Sequence, residues 1–566
     1  MLHLIPAVKK LELTGGSFQK KAISFQKGIF DVRLEQALKK LPCCECGAPI
    51  TLEIVGNAGE AYALWIRDAS IDVKADSAVG AFYAIQTLRQ IFQQQEIPCL
   101  YIQDKPDFPH RGFYHDVTRG KVPTVETIKQ LVDTMAYYKL NSLQLYVEHT
   151  FEFEECKALH PHTSCLTAEE LAQIDAYCRE NFIDFIPSLS TFGHMYEILQ
   201  QEQYQHLRVL HPYTPSPNFW RERMQHHTID PLKPESIELV KSLIDQYVPH
   251  FPSDWFNICC DETFDLKQAY GDEASGKIYV DFVKQIIAHV KSKGKKVMMW
   301  ADILLQHPEV IEEVPEDTCF LNWHYSANPP EADVEKFAQM GRTQIVCPGT
   351  STWNRLCEDV EKEEKNISLM AQYGYTHGAA GILNTNWGDW GNPCNLELAM
   401  YGLVLGAEKG WSVSTELDES FYDGVDTLLY QQSGAMEMLK KVSKLHSLVS
   451  WRNFIADSFL HRYPSDTEAV GISAETVAAV QAAYTDLSEQ LRAQVWPQDA
   501  YRQELLVSLE GICVIAELWG KLSGLDLQRI TDTQAWLTKY RASWLARNKE
   551  SELPRIEEMF LYCGKV

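Results

Sequence analysis

Long apolar runs, basic residues and paired cysteine motifs are all scarce in this sequence of 566 residues, and each scarcity narrows its reading. No window approaches the roughly 18 uninterrupted apolar residues of a membrane-spanning helix. The first residues, MLHLIPAVKKLELTGG, lack the apolar core and small-residue cleavage site of a secretory signal. Lys plus Arg number 52 against 77 Asp plus Glu, a formal net charge of -25. Nucleic acids and anionic membranes need a basic face to displace counterions, so neither is expected as a partner. The 15 cysteines are odd in number and scattered. Their one cluster, Cys43, Cys44 and Cys46 in CCEC, has no second half to complete a zinc site. Reduced thiols in a cytoplasmic protein are the expectation. No G-x-G-x-x-G follows a strand pattern and no HExxH is present, so neither a cofactor nor a metal is expected.

What is present is a globular composition, 45% apolar and 23% charged, in a chain long enough for two to four domains. Residues 1–105 alternate short β-type runs (ITLEIV, YALWIRD, SIDVKAD) with one amphipathic helix, AVGAFYAIQTLRQIFQQQ, which predicts a small α+β domain. Pro98, Pro106 and Pro109 in IPCLYIQDKPDFPHRG disfavour regular structure and mark a boundary. From 106 to 410 the pattern becomes strand, loop, helix, repeated. The strands are RGFYHDV, SLQLYVE, IDFIPSLS, WFNICCDE, KVMMWAD, TCFLNWH, TQIVCPG and AAGILNTNW. Eight near-continuous apolar strands separated by helices predict an α/β fold of the (β/α)8 TIM-barrel type, with an open doubly wound sheet as the alternative. Strands stop beyond Gly410, and FYDGVDTLLYQQSGAMEMLKKVSKLHSLV, SAETVAAVQAAYTDLSEQLRAQV, YRQELLVSLEGICVIAELWGKLSG and TQAWLTKYRASWLARNKESELPRIEEMFLYC are helix-periodic, so residues 411–566 predict an α-helical C-terminal domain.

In such a barrel the active site forms at the C-terminal strand ends, so those ends carry the chemistry. Strand one runs from Arg111 to Asp116 and Arg119; strand two ends at Glu148-His149, and strand three leads to His194 in TFGH. Strand four ends at Asp261-Glu262 and strand five gives Trp300 and Asp302. Strand six gives Trp323-His324-Tyr325, strand seven leads to Trp353-Asn354, and strand eight to Asn386, Trp387, Asp389 and Trp390. A single Trp or acid at such a place is usually core or a helix cap. Five indoles at four strand mouths, with carboxylates and amides between them, describe a carbohydrate pocket instead. Adjacent acids point to opposite sides of an ideal strand. Asp261 and Glu262 therefore share a pocket only if the backbone turns there. Two close carboxylates resist joint ionisation, which suits a general acid.

With these residues in hand, the chain resembles glycoside hydrolase family 20, the β-N-acetylhexosaminidases, over residues 1 to about 407. The family carries His-x-Gly-Gly-Asp-Glu at the end of strand four; here the segment reads Asn257-Ile258-Cys259-Cys260-Asp261-Glu262. DKPDFPHRGFYHDVTR, TFGH and AVGAFYAIQTLRQIF are similar to further family segments, and the helical tail resembles a bacterial three-domain subgroup that is often dimeric. The resemblance implies exo-acting removal of terminal β-linked GlcNAc or GalNAc by substrate assistance. Glu262 would be the acid/base, Asp261 would bind the acetamido N–H, and Tyr325 would donate to the acetamido oxygen. Arg111 would hold sugar hydroxyls. Trp300, Trp323, Trp353 and Trp387 would surround the sugar, Asp389 would bind its distal hydroxyls, and Glu148, His149 and His194 would make accessory contacts. The expected partners are a carbohydrate with a terminal 2-acetamido sugar and a second copy of the chain. Rival readings are a non-catalytic carbohydrate-binding barrel, a conventional retaining glycosidase with a carboxylate nucleophile, and a metal-dependent barrel drawing on Asp302.

Overall fold

A computed structural model describes residues 2–28, 30–94, 96–159, 164–213 and 216–565. The N-terminal part forms a mixed sheet of β1 (Lys10–Ser17), β2 (Ile23–Ser24), β3 (Ala48–Ile54), β4 (Tyr62–Ile66), β5 (Ile71–Ala75) and β6 (Pro98–Asp104). Their order is β1-β6-β4-β5-β3-β2. The helix Ala78–Phe92, capped by Ser77, buries Phe82, Ile85, Leu88 and Ile91 against it. β6 corrects the expectation that Pro98 disfavours regular structure. Pro98 occupies the first position of the strand, where a missing N–H costs little. The residues after it pair with both β1 and β4.

β7 (His110–Asp116), β8 (Ser142–Val147), β9 (Asp184–Leu189), β10 (Trp255–Asn257), β11 (Lys296–Trp300), β12 (Cys319–Trp323), β13 (Gln344–Cys347) and β14 (Gly381–Asn386) are all parallel. They close as a barrel, with β14 paired to β7 from Gly381↔His110 to Asn386↔His115. The interior is filled, not hollow. Tyr114, Tyr146, Ile186, Met298, Trp300, Leu321 and Leu383 pack together, and the buried Asn257 Nδ2 donates to Gln144 Oε1 at 2.9 Å. β10 is much shorter than WFNICCDE suggested, because the backbone leaves the strand conformation at Cys259.

Beyond the barrel-backing helix Met400–Trp411 the described chain is helical to Lys565. One of these helices, Trp451–Arg462, lies under a segment with no clear apolar period. Its buried face includes Asp457, which accepts from Val470 N–H, Gly471 N–H and the Trp519 indole at 2.7–2.9 Å. A polar residue there breaks the apolar stripe that periodicity detects.

Arg111 stands at the opposite end of the barrel from the place the resemblance implied. It lies at the start of β7, fully buried, and its guanidinium donates to Glu60, Phe108 O, Lys139 O and Tyr83 Oη at 2.7–3.1 Å. A strand of this length separates its ends by roughly 20 Å, so Arg111 fastens the N-terminal domain beneath the barrel. Removing one member of a buried ion pair strands the other. Arg111→Met is therefore expected to cost about 3 kcal/mol in urea unfolding, with Glu60→Gln, at the partly exposed partner, costing clearly less.

Candidate active site

The two acids owe their common direction to a strained turn. Cys259, Cys260 and Glu262 all have left-handed backbones, with φ of 56°, 66° and 51°. That conformation costs a non-glycine residue of the order of 1–2 kcal/mol. It persists because its hydrogen bonds are fixed from every side. Cys259 N–H donates to Asn257 Oδ1 at 2.9 Å, Trp300 N–H to Cys259 O at 3.0 Å, and Tyr279 Oη to Cys260 O at 2.8 Å. Glu262 N–H donates to Asp302 Oδ2 at 3.0 Å. The two thiols face inward, against Ser188 and Tyr114 for Cys259 and against Thr191 for Cys260. The family segment has glycine at both positions, the residue to which a left-handed backbone costs least.

His194 ties the acids together. Its Nε2 lies 3.3 Å from Asp261 Oδ2 and 3.3 Å from Glu262 Oε2. The loop after β9 brings it there, and Gly193 makes this approach feasible: a Cβ on Gly193 would sit 2.4 Å from Asp261 O. Burial opposes a charge on this imidazole, but Asp261 and Glu262 outweigh it and push its pKa up to about 10. Asp302, behind the acids, is pushed up to about 8 by burial and by the charge of Asp261. Asp261 Oδ1 is buried and has no hydrogen-bond partner among the described residues.

Arg119, eight residues beyond Arg111, is the cation of the mouth. It contacts Glu148 at 3.2 Å, Tyr146 Oη at 3.2 Å and His194 Nδ1 at 3.4 Å, and pairs with Asp389. Burial raises the pKa of both Glu148 and Asp389, and the guanidinium counters it. Asp116 Oδ2 accepts from Gly388 N–H, which joins the ends of β7 and β14.

Rings close the pocket. Trp387 packs on Tyr114, Tyr146 and Trp300 with centroids 5.1–5.8 Å apart. Tyr325 stacks on Trp323 at 4.9 Å, meets Trp353 edge-on at 5.1 Å, and accepts from Trp387 Nε1 at 2.7 Å. Glu262, Asp389, Trp323, Tyr325 and Trp353 keep partial exposure. Trp300, Glu148 and His149 are buried behind that surface, so they support the wall that a ligand would touch. The structure therefore gathers the predicted residues at one mouth, except Arg111. Sequence reasoning missed Arg119 as the pocket arginine, although its place past the end of β7 was the available signal. It also missed the floor tyrosines Tyr114 and Tyr146, whose inward orientation depends on the closed barrel. His194, Asp261 and Glu262 each offer one ligand atom within 4.8 Å, so they could geometrically hold a cation; in this arrangement the imidazolium already supplies the positive charge.

Paired acids at the C-terminal mouth of a closed (β/α)8 barrel, set among packed indoles and phenols, define an α/β-barrel enzyme. Comparison with known proteins gives the family. Residues 108–377 match the glycosyl hydrolase family 20 catalytic domain and residues 1–105 match domain 2 of the same family. The chain belongs to glycosyl hydrolase family 20. It is 31% identical over 158 residues to a β-hexosaminidase of Akkermansia muciniphila, covering 24% of this chain and 32% of that protein. It is 23% identical over 429 residues to a β-hexosaminidase of Vibrio furnissii, covering 65% of this chain and 66% of that one. The chain thus spans from about a third to about two thirds of the length of these relatives. In fold it is similar to a chitobiase of Flavobacterium johnsoniae, with a TM-score of 0.62 at 17% identity over 100% of this chain and 99% of that one.

Two outcomes follow from this geometry. Cys260→Gly is expected to stay within about 1 kcal/mol of the parent in urea unfolding, while Cys260→Val, β-branched in a left-handed backbone, loses more than about 2 kcal/mol. Stability should also fall on the alkaline side. His194 and Asp302 both hold protons more tightly in the folded state, so the native state binds more protons than the unfolded chain and stability declines as pH rises. The Asp302 part is lost between about pH 4 and its folded value of about 8, and the His194 part between about 6.5 and about 10. Asp302→Asn should flatten the first segment of a stability-against-pH curve and leave the second.

Proposed function

We propose that the protein is an exo-acting β-N-acetylhexosaminidase that removes terminal β-linked 2-acetamido sugars with retention, the substrate's own acetamido oxygen acting as nucleophile. The observation that carries this reading is the joint placement of Asp261 and Glu262 beside a single imidazolium, at the end of a turn that directs both into one pocket. Glu262, the more exposed of the two, protonates the glycosidic oxygen as the bond to the anomeric carbon breaks. The acetamido carbonyl oxygen bonds to that carbon and gives an oxazolinium ion. Glu262 then takes a proton from water as water adds to the anomeric carbon from the face the leaving group left, and the bond from that carbon to the acetamido oxygen breaks. Asp261 Oδ1, buried without a partner among the described residues, is suited to accept the acetamido N–H and to balance the positive charge that develops on the ring. Tyr325 Oη accepts from Trp387, which leaves its own proton free to donate to the acetamido oxygen. Its hydroxyl stays protonated because burial raises its pKa well above the usual tyrosine value.

Arg119 and Asp389 serve the distal hydroxyls of the sugar, with Glu148 holding the guanidinium in place. Trp323, Trp353 and Trp387 provide the ring faces for its C–H surfaces. The 15 cysteines are all unpaired, which supports residence in a reducing compartment.

Hydrolysis of p-nitrophenyl β-glycosides tests the reading. Release is expected from GlcNAc and GalNAc glycosides, but not from glucose or galactose glycosides that lack the internal nucleophile. Glu262→Gln and Asp261→Asn should each lose on the order of 10²–10⁴ in kcat, and EDTA should leave the activity unchanged. Equal release from plain glucose would make a carboxylate the nucleophile instead.

A further inference from the structure

Away from the barrel mouth, a cleft of about 310 Å³ opens where the loop after β9 meets two helices of the C-terminal region, Trp451–Arg462 and Leu553–Lys565. Its volume lies at the lower end of the range for small-molecule sites, a few hundred Å³. Phe459 and Tyr463 present nearly parallel rings, 19° apart at 6.4 Å, and Trp220 closes the inner end edge-on to Phe459 at 6.1 Å. Tyr463 is 43% exposed, so its ring is available at the rim. The charged rim is matched internally: Arg462 pairs with Glu558 at 2.9 Å and lies over the Tyr562 ring at 5.4 Å, while Arg555, the other cation of the lining, pairs with Glu552 at 3.5 Å and lies over the Phe219 ring.

These features select a chemistry. Matched cation and carboxylate offer donors and acceptors without net charge, so an ionic ligand gains little, and the chain's charge of -25 repels polyanions. Flat rings beside a guanidinium and a carboxylate suit a molecule with apolar C–H faces and equatorial hydroxyls. At the inner end of the cleft Trp220 turns its indole Nε1 away toward the active-site loop, where it is buried and has no hydrogen-bond partner among the described residues. That same nitrogen would lie 3.0 Å from a Cβ on Gly391, two residues beyond Asp389. The inner wall of the cleft is therefore also the outer support of the active-site loop.

We propose that this cleft is a second saccharide site, which holds a neutral pyranose unit outside the catalytic pocket. The ring pair Phe459–Tyr463 stacks on the sugar, while Arg462 and Glu558 bond to its hydroxyls. Through Trp220, an occupied cleft adjoins the loop that carries Asp389.

Calorimetric titration of the Glu262→Gln chain with N,N′-diacetylchitobiose tests this, the substitution serving only to stop the hydrolysis proposed above. Two binding events per chain are expected. The one outside the barrel should weaken at least tenfold in both Tyr463→Ala and Arg462→Gln, each at an exposed rim position that the fold can lose. With the catalytic acids intact, Tyr463→Ala should keep kcat/KM on p-nitrophenyl β-GlcNAc, which needs only the barrel, within twofold. A single event, or two events that neither rim substitution alters, would overturn the proposal. If the wild-type chain leaves the disaccharide intact, the proposed reaction fails by itself, and the same titration on the wild type still decides the cleft.

Discussion

The left-handed turn from Cys259 to Glu262 is the constraint on which the rest of the site depends. In an extended strand, neighbouring side chains face apart, and Asp261 and Glu262 would be separated by the sheet. Bending the backbone at the end of β10 brings both carboxylates to one side, at a cost in strain that the surrounding hydrogen bonds must offset. Those bonds come from β11, from the helix Asp272–Ser292 and from Asp302, so the barrel as a whole holds the turn. A site made this way is rigid before any ligand arrives, which is what electrostatic preorganisation requires.

The second organising fact is a local excess of acids. Asp116, Glu148, Asp261, Glu262, Asp302 and Asp389 all come near the mouth, facing Arg119 and His194. Two cations cannot balance that many carboxylates in a medium of low dielectric, so protons make up part of the difference. His194 stays charged far above its ordinary pKa, and Asp302 retains its proton toward neutral pH. The bidentate reach of the Arg119 guanidinium lets one side chain contact acids from two different strands. Charge balance and wall geometry are thus set by the same residues.

The flanking regions act as supports. The N-terminal sheet is tied to the floor of the barrel by Arg111 and Glu60, far from the chemistry. The helical region reaches the other end: the Trp451 indole donates to Trp390 O, and Glu552 pairs with Arg223 of the loop after β9. Loops that carry catalytic groups are ordinarily mobile. Here the buried Arg223, held by Glu197 and Glu552, anchors one of them to the helices.

Much of this was legible in the sequence, for physical reasons that also set the limits. Apolar runs separated by helical periods specify a parallel sheet covered on both faces, because strands buried on both faces must be apolar throughout, and the count of eight favoured a closed barrel over an open sheet. The pair Asp261-Glu262 after such a run marks a strand end, whatever the fold around it. Periodicity failed where polar residues serve the interior, as with Asp457 in the helix Trp451–Arg462, and proline misled at β6 because a first strand position tolerates it. The choice between Arg111 and Arg119 lay beyond local pattern. Both flank the same strand, and only closure of the barrel fixes one beneath the floor and the other in the mouth. The sequence by itself determined which residues could do the chemistry. The tertiary structure alone decided which of them meet, because eight strand ends distant along the chain converge on one mouth only when the barrel closes.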